Sequence, residues 1–173
     1  VSIPFIGAVD LGAWGALVTF LWIVGLTNAF NFMDGVDGIA GTQAVMAGLG
    51  WAGLGCWSES PLVCAISIFV VASTLGFLPH NWPPARIFMG DVGSTFLGYT
   101  FAVLPLMFQV QPSQGVQGEL WPWAGFLLVW PFIFDTAFTF LRRVCKGEHV
   151  LSAHRSHLYQ RIVMVGRSHR FVT

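Results

Sequence analysis

The chain has 173 residues, of which 55% are hydrophobic and only 9% charged, with 16 Phe, 8 Trp and a formal net charge of zero. A water-soluble domain usually carries about a quarter charged residues, so this composition excludes one and places the chain among polytopic membrane proteins. A balanced net charge carries no signature of an acidic or basic partner, and no nucleic-acid partner is expected.

Residues 1–10 are too short to span and hold the breakers Pro4, Gly7 and Asp10. Apolar runs of roughly bilayer length follow at about 11–30, 38–57, 62–78, 92–110 and 121–141, each near the ~20 residues that a ~30 Å hydrocarbon core requires. The second is rich in Gly and Ala, which lets neighbouring helices approach closely and predicts a place inside the bundle. Pro79, Pro83 and Pro84 are expected to stop the third just beyond residue 78. The tail, 142–173, is too rich in Arg and His for lipid, and HLYQRIVMV within it predicts an amphipathic surface helix. The fold class expected is therefore all-α: one domain over 1–173, a bundle of about five spans with a cytoplasmic C-terminal tail. The chain opens without Met and in mid-pattern, which reads as an N-terminal truncation. Cys56, Cys64 and Cys145 show no CxxC spacing and read as small apolar fillers, with a Cys56–Cys64 disulfide at one membrane edge as the alternative.

Sidedness follows from the basic residues. With the tail inside, Arg86, Arg142, Arg143, Lys146, Arg155, Arg161, Arg167 and Arg170 are all cytoplasmic, as the positive-inside rule requires, while Asp10, Glu59 and Glu119 lie outside. The same assignment gathers Asp34, Asp37, Asp91, His149, His154 and His157 on the cytoplasmic face.

Three polar segments carry the chemistry. In NAFNFMDGVDGIAG, the residues Asn28, Asn31, Asp34 and Asp37 recur every third position and share one side of a helical path. Carboxylates and amide oxygens are the hard ligands that Mg²⁺ prefers, although a helix N-cap alone would account for Asp37. In FMGDVGST, Asp91 stands at a helix start between Gly90 and Gly93. Backbone N–H groups there favour an anion such as a phosphate, and an N-cap aspartate explains the motif equally well. In AHRSHLYQR, His154, Arg155 and His157 suit a diphosphate, for bidentate contact and proton donation; a basic strip on anionic lipid headgroups is the plainer account. Asp135, near the inner end of the fifth span, is expected to pair with Arg142 or Arg143, with a place lining the site as the alternative. His80 and Asn81 read as structural, and the Trp residues at 82, 121, 123 and 130 as an interfacial belt.

In order, spacing and sidedness the three motifs resemble the polyprenyl-phosphate N-acetylhexosamine-1-phosphate transferases (the WecA/MraY superfamily, glycosyltransferase family 4), from about residue 11 to the end. The HRSH sequence resembles the WecA-like O-antigen branch more than the MraY branch, whose members usually carry consecutive histidines there. The resemblance implies a multi-pass enzyme of the bacterial inner membrane with its active face in the cytoplasm. It would transfer a sugar 1-phosphate from a UDP-N-acetylhexosamine to undecaprenyl phosphate, releasing UMP and starting cell-envelope or lipopolysaccharide synthesis. It implies Mg²⁺, with Mn²⁺ as a substitute, membrane lipids as surroundings, and a homodimer as an option. By matching motifs, Asp34, Asp37 and Asp91 are the catalytic acids and Asp91 and Asp34 the metal ligands. Asn28, Asn31, His154, Arg155 and His157 bind substrate. One departure stands out: the family's adjacent Asp-Asp pair on an earlier cytoplasmic loop occurs nowhere in this sequence. Two other classes compete: a cation or proton transporter, which would place acids in mid-span, and an inactive fragment or assembly subunit, which fits the missing pair.

Overall fold

A computed structural model of the chain describes residues 2–3, 7–8, 11–109, 121–148 and 157–173. Strands β1 (Ser2–Ile3) and β2 (Gly7–Ala8) pair antiparallel, with Ser2 opposite Ala8 and Ile3 opposite Gly7. Everything after this small ladder is helical among the described residues: α1 (Trp14–Met33), α2 (Ile39–Trp57), α3 (Pro61–Asn81), α4 (Gly90–Gln109), α5 (Trp121–Leu128), α6 (Trp130–Cys145), α7 (Leu158–Met164) and α8 (His169–Val172). The protein is an all-α membrane bundle. By length and composition, α1, α3 and residues 90–108 of α4 can each cross a bilayer.

The bundle is organised by two helix pairs, α1 with α4 and α2 with α3. Gly98 of α4 sits so close to α1 that a Cβ there would stand 2.8 Å from the Thr27 Cα. Small residues do this work in membranes, where tight packing rather than water exclusion drives helix association. Trp22 Nε1 donates to the Ala102 carbonyl at 2.9 Å and fixes the same pair. The core lies where α1, α4 and α6 meet. The fully buried Phe30 ring stacks on Phe101 at 5.5 Å and meets Phe132 edge-on at 4.8 Å. Outward-facing Trp14, Phe20, Leu21, Phe69, Val92 and Phe96 are exposed apolar side chains, as lipid-facing surfaces require.

Four expectations are corrected. The fifth apolar run is not one helix but two, α5 and α6, with a turn at Val129. Pro131 has no N–H and cannot continue the ladder. Phe132 N–H turns back to the Val129 carbonyl, and Gln43 Nε2 of α2 takes the Leu128 carbonyl at 2.7 Å. Next, Pro79 does not end α3, which continues to Asn81. In the last turn a proline costs one backbone bond while its fixed φ remains helical. The HLYQRIVMV stretch is anchored rather than laid on a surface, because Tyr159 of α7 packs at 4% exposure into the core. Finally, Cys56 and Cys64 form a disulfide, with Cα atoms 5.5 Å apart. The α2–α3 turn faces the two thiols across a gap that suits the bridge. Cys64 and Asn81 lie near opposite ends of α3, about 25 Å apart at 1.5 Å per residue, so the disulfide and the polar segments occupy opposite ends of the bundle.

Candidate active site

The first two polar segments meet. Asn31, in the last turn of α1, directs Nδ2 to Asp91 Oδ1 at 3.0 Å and to Ser94 Oγ at 3.1 Å, both in the first turns of α4. Asp34 follows as the C-cap of α1, its N–H bonded back to the Phe30 and Asn31 carbonyls. The i, i+3 step puts its side chain on the side of Asn31. Asn31, Asp34 and Asp91 line one cleft of about 220 Å³, together with Asp37, Asn81 and Gly90.

The electrostatics of this cleft are unbalanced. Burial, and after it the neighbouring Asp91 charge, pushes the Asp34 carboxyl up to about 6. Among the described residues no donor reaches that carboxylate within hydrogen-bond distance, while Asp91 receives Asn31. Two carboxylates that repel each other over a polar cleft are a set of hard oxygen donors, which a small divalent cation would relieve. Among the described residues no three His, Cys, Asp or Glu side chains converge into a cage. The donors therefore fit a cation held by two carboxylates and completed by water or substrate oxygens, the usual arrangement for Mg²⁺.

Asp37 also lines the cleft, but its contacts hold loops in place. Its Oδ2 accepts the Ala85 N–H at 3.1 Å and lies 3.3 Å from His169 Nδ1, and its carbonyl accepts Thr173 Oγ1 at 2.7 Å. The next residue, Gly38, has φ of +80°, a left-handed conformation that suits glycine alone. Asn28 is one turn further back in α1, where Nδ2 donates to the Val24 carbonyl of its own helix at 2.8 Å, away from the cleft. His154 and Arg155 lie outside the described residues, as does His149.

His157 is described and buried, at 4% exposure. Its Nδ1 is 3.0 Å from Asp135 Oδ1. The expected partners of Asp135, Arg142 and Arg143, lie two turns further along α6, and Arg143 extends to Glu148 at 3.3 Å instead. The third segment is joined to the first through Tyr159, which donates to the Phe32 carbonyl at 2.9 Å. A Cβ on Gly35 would collide with that phenol oxygen, so only glycine allows the approach. Burial first, then the Asp135 and Asp34 charges, push the Tyr159 hydroxyl up, which keeps it a proton donor.

Two residues at this end were not recognised as joining the segments. Asn81 is 3% exposed; its Oδ1 accepts the Gly38 N–H at 2.9 Å and its Nδ2 donates to the Ile87 carbonyl at 2.9 Å, tying the first loop to the second. The available signal was a lone amide at the end of a span beside a proline-rich turn. Tyr159 had none beyond its place in a polar motif.

Comparison with known proteins bears on the family to which the chain belongs. The family model described as glycosyl transferase family 4 matches residues 1–109. A probable undecaprenyl-phosphate N-acetylglucosaminyl 1-phosphate transferase of Bacillus subtilis (strain 168) is 38% identical over 170 residues, covering 98% of this chain and 46% of that protein. A decaprenyl-phosphate N-acetylglucosaminephosphotransferase of Mycobacterium leprae (strain TN) is 33% identical over 171 residues, covering 90% of this chain and 43% of its own length. A phospho-N-acetylmuramoyl-pentapeptide-transferase of Lactiplantibacillus plantarum is 39% identical over 105 residues, 61% of this chain and 33% of that protein. The chain spans less than half the length of these relatives. With a family match over most of the sequence and a relative aligned along nearly all of it, the chain belongs to glycosyl transferase family 4.

Proposed function

We propose that the protein transfers a sugar 1-phosphate from a UDP-N-acetylhexosamine to undecaprenyl phosphate at the cytoplasmic face of a bacterial inner membrane, releasing UMP. The observation that carries this reading is the contact of Asn31 with Asp91, which draws the acids of two distant segments into one cleft with Asp34. N-acetylglucosamine 1-phosphate is the favoured group, because two relatives aligned along nine-tenths or more of the chain are named for it. The HRSH sequence at 154–157 favours the same branch.

In the reaction, an oxygen of the lipid phosphate attacks the sugar-linked phosphorus. The new P–O bond forms as the bond to the bridging oxygen of the diphosphate breaks, and UMP departs with that oxygen. Bound at Asp91 and Asp34, Mg²⁺ would supply the positive charge that two anions need to approach each other. Asn31 holds the Asp91 carboxylate in one orientation. The first residues of α4, Gly90 and Asp91, line the same cleft, and N–H groups at a helix start favour phosphate oxygens. His154, Arg155 and His157 are assigned to the diphosphate, each as a donor to its oxygens. Asp37 keeps the loop floor in place. The base for the lipid phosphate, the Asp-Asp pair of the family, is not in this sequence.

The test is UMP release by the intact membrane protein in vesicles containing undecaprenyl phosphate, with UDP-GlcNAc and Mg²⁺. Release that depends on both substrates is expected. Release with UDP-MurNAc-pentapeptide in place of UDP-GlcNAc would reassign the sugar, and none with any UDP-sugar would remove the reading.

A further inference from the structure

Asp135 is a carboxylate inside the bundle, 5% exposed, and the transfer chemistry assigns it no task. Its partners are unusual for a structural acid. Thr139 Oγ1 donates to Oδ1 at 3.1 Å from one turn along α6. The other three come from the start of α7: His157 Nδ1 at 3.0 Å, the Leu158 N–H at 3.0 Å and the Tyr159 N–H at 3.1 Å. Four donors match the capacity of a carboxylate.

These contacts do two things. The first N–H groups of any helix lack intrahelical partners and are usually capped by the residue just before it. Here His157 and Gln160 form a local capping box, and the Leu158 and Tyr159 N–H groups are taken by Asp135 of another helix, so α7 starts where α6 places it. The carboxylate also faces Nδ1 of His157. A carboxylate 3.0 Å away favours the tautomer with its proton on Nδ1 and holds the ring in one orientation. From its second residue, α7 reaches the acidic loop, because Tyr159 bonds to Phe32 and packs on Gly35 beside Asp34.

We propose that Asp135 is a positioning residue, which caps α7 from outside and orients the His157 ring so that this histidine is presented to the diphosphate beside the acidic cleft. The proposal rests on the transferase reading given above. It requires Asp135 to act through His157, and a merely structural carboxylate would not.

That difference can be measured with D135N, which keeps the shape but turns a donor toward the α7 amides, together with H157N and the double variant. All are assayed as intact protein in vesicles by UMP release. D135N and H157N are each expected to lower kcat/KM at least ~10-fold, the scale on which supporting partners of site histidines act. The double variant should be no worse than the poorer single one, because the second change has nothing left to remove. Effects that multiply, or a D135N protein with unchanged kcat/KM, overturn the proposal. Hydrogen exchange of residues 157–164 gives an independent reading, with faster exchange in D135N expected there and not in α2 or α3. Unchanged protection also overturns it. Because exchange needs no turnover, absence of UMP release by the wild type counts against the proposed function alone. If D135N does not fold, L158P replaces it. Proline is tolerated at the first helical position and follows an extended His157 (φ −60°, ψ 149°) without strain, yet it removes one donor to Asp135. L158P should lower kcat/KM severalfold; no change overturns the proposal.

Discussion

Two acidic places in this molecule lie close along the fold and are opposite in character. At Asp135 one buried carboxylate receives four hydrogen bonds, three of them from the start of α7. At the cleft, which Asp34 and Asp91 both line, one amide donor, Asn31, reaches Asp91, and none among the described residues reaches the Asp34 carboxylate. Burial, then the Asp91 charge, holds Asp34 up to about 6. A buried charge that is fully hydrogen-bonded stabilises one arrangement and has little left for a ligand. A pair of carboxylates that repel each other raises the energy of the ligand-free site, and a cation or a proton lowers it. The first place is built to hold a segment still, the second to be completed from outside.

Substitutions at the cleft should give the largest effects. D91N is expected to reduce UMP release by about 10³-fold, the order of losing a principal charge-stabilising group, with the thermal midpoint nearly unchanged. Near-normal release by D91N would remove Asp91 from the chemistry. The junction between the two places comes next. G35A puts a methyl against the Tyr159 hydroxyl and should cost about 1–3 kcal/mol, as overpacking does, with a severalfold loss of activity. Y159F in the same protein should recover part of it; no recovery would mean that Gly35 is needed for its backbone alone.

N81A leaves the Gly38 N–H and the Ile87 carbonyl without a buried partner. It should cost about 1–3 kcal/mol, read as a lower thermal midpoint in detergent, and the loss should be the same with or without ligand. The smallest effect has the opposite sign. The carboxyl of Asp34 is raised in the folded state, so its contribution to stability is fully present below its unfolded value, 3.8, and is lost as pH rises through about 6. At neutral pH and in chelator, D34N should therefore stabilise the protein, by about 1 kcal/mol once screening is allowed for, while lowering activity. Destabilisation by D34N would show that the cleft is already balanced, and the contrast with Asp135 would fail.

Much of the molecule could be read in one dimension. Long apolar runs must be helices in lipid, because each backbone group has to find a partner within its own segment. Four of the five expected runs therefore appear as single helices close to their expected ends. The three polar segments stood out because charge is rare in such a sequence. The break at Val129 was not read, since an apolar window averages over a single proline whose effect depends on Gln43, 85 positions away, taking the released carbonyl.

By itself the sequence determined the solvent, the helices, the residues available for chemistry and the resemblance that the comparisons bear out. All of these follow from local composition and spacing. Tertiary structure alone decided which residues meet. Asn31 finds Asp91 across 60 positions. Asp135 passes over the arginines on its own helix for His157, 22 positions on. Asn81 ties two loops together. Such choices depend on how closely α1 and α4 can approach and where α7 can start. They are set by the shape of whole helices and not by any stretch of sequence that the chosen partners share.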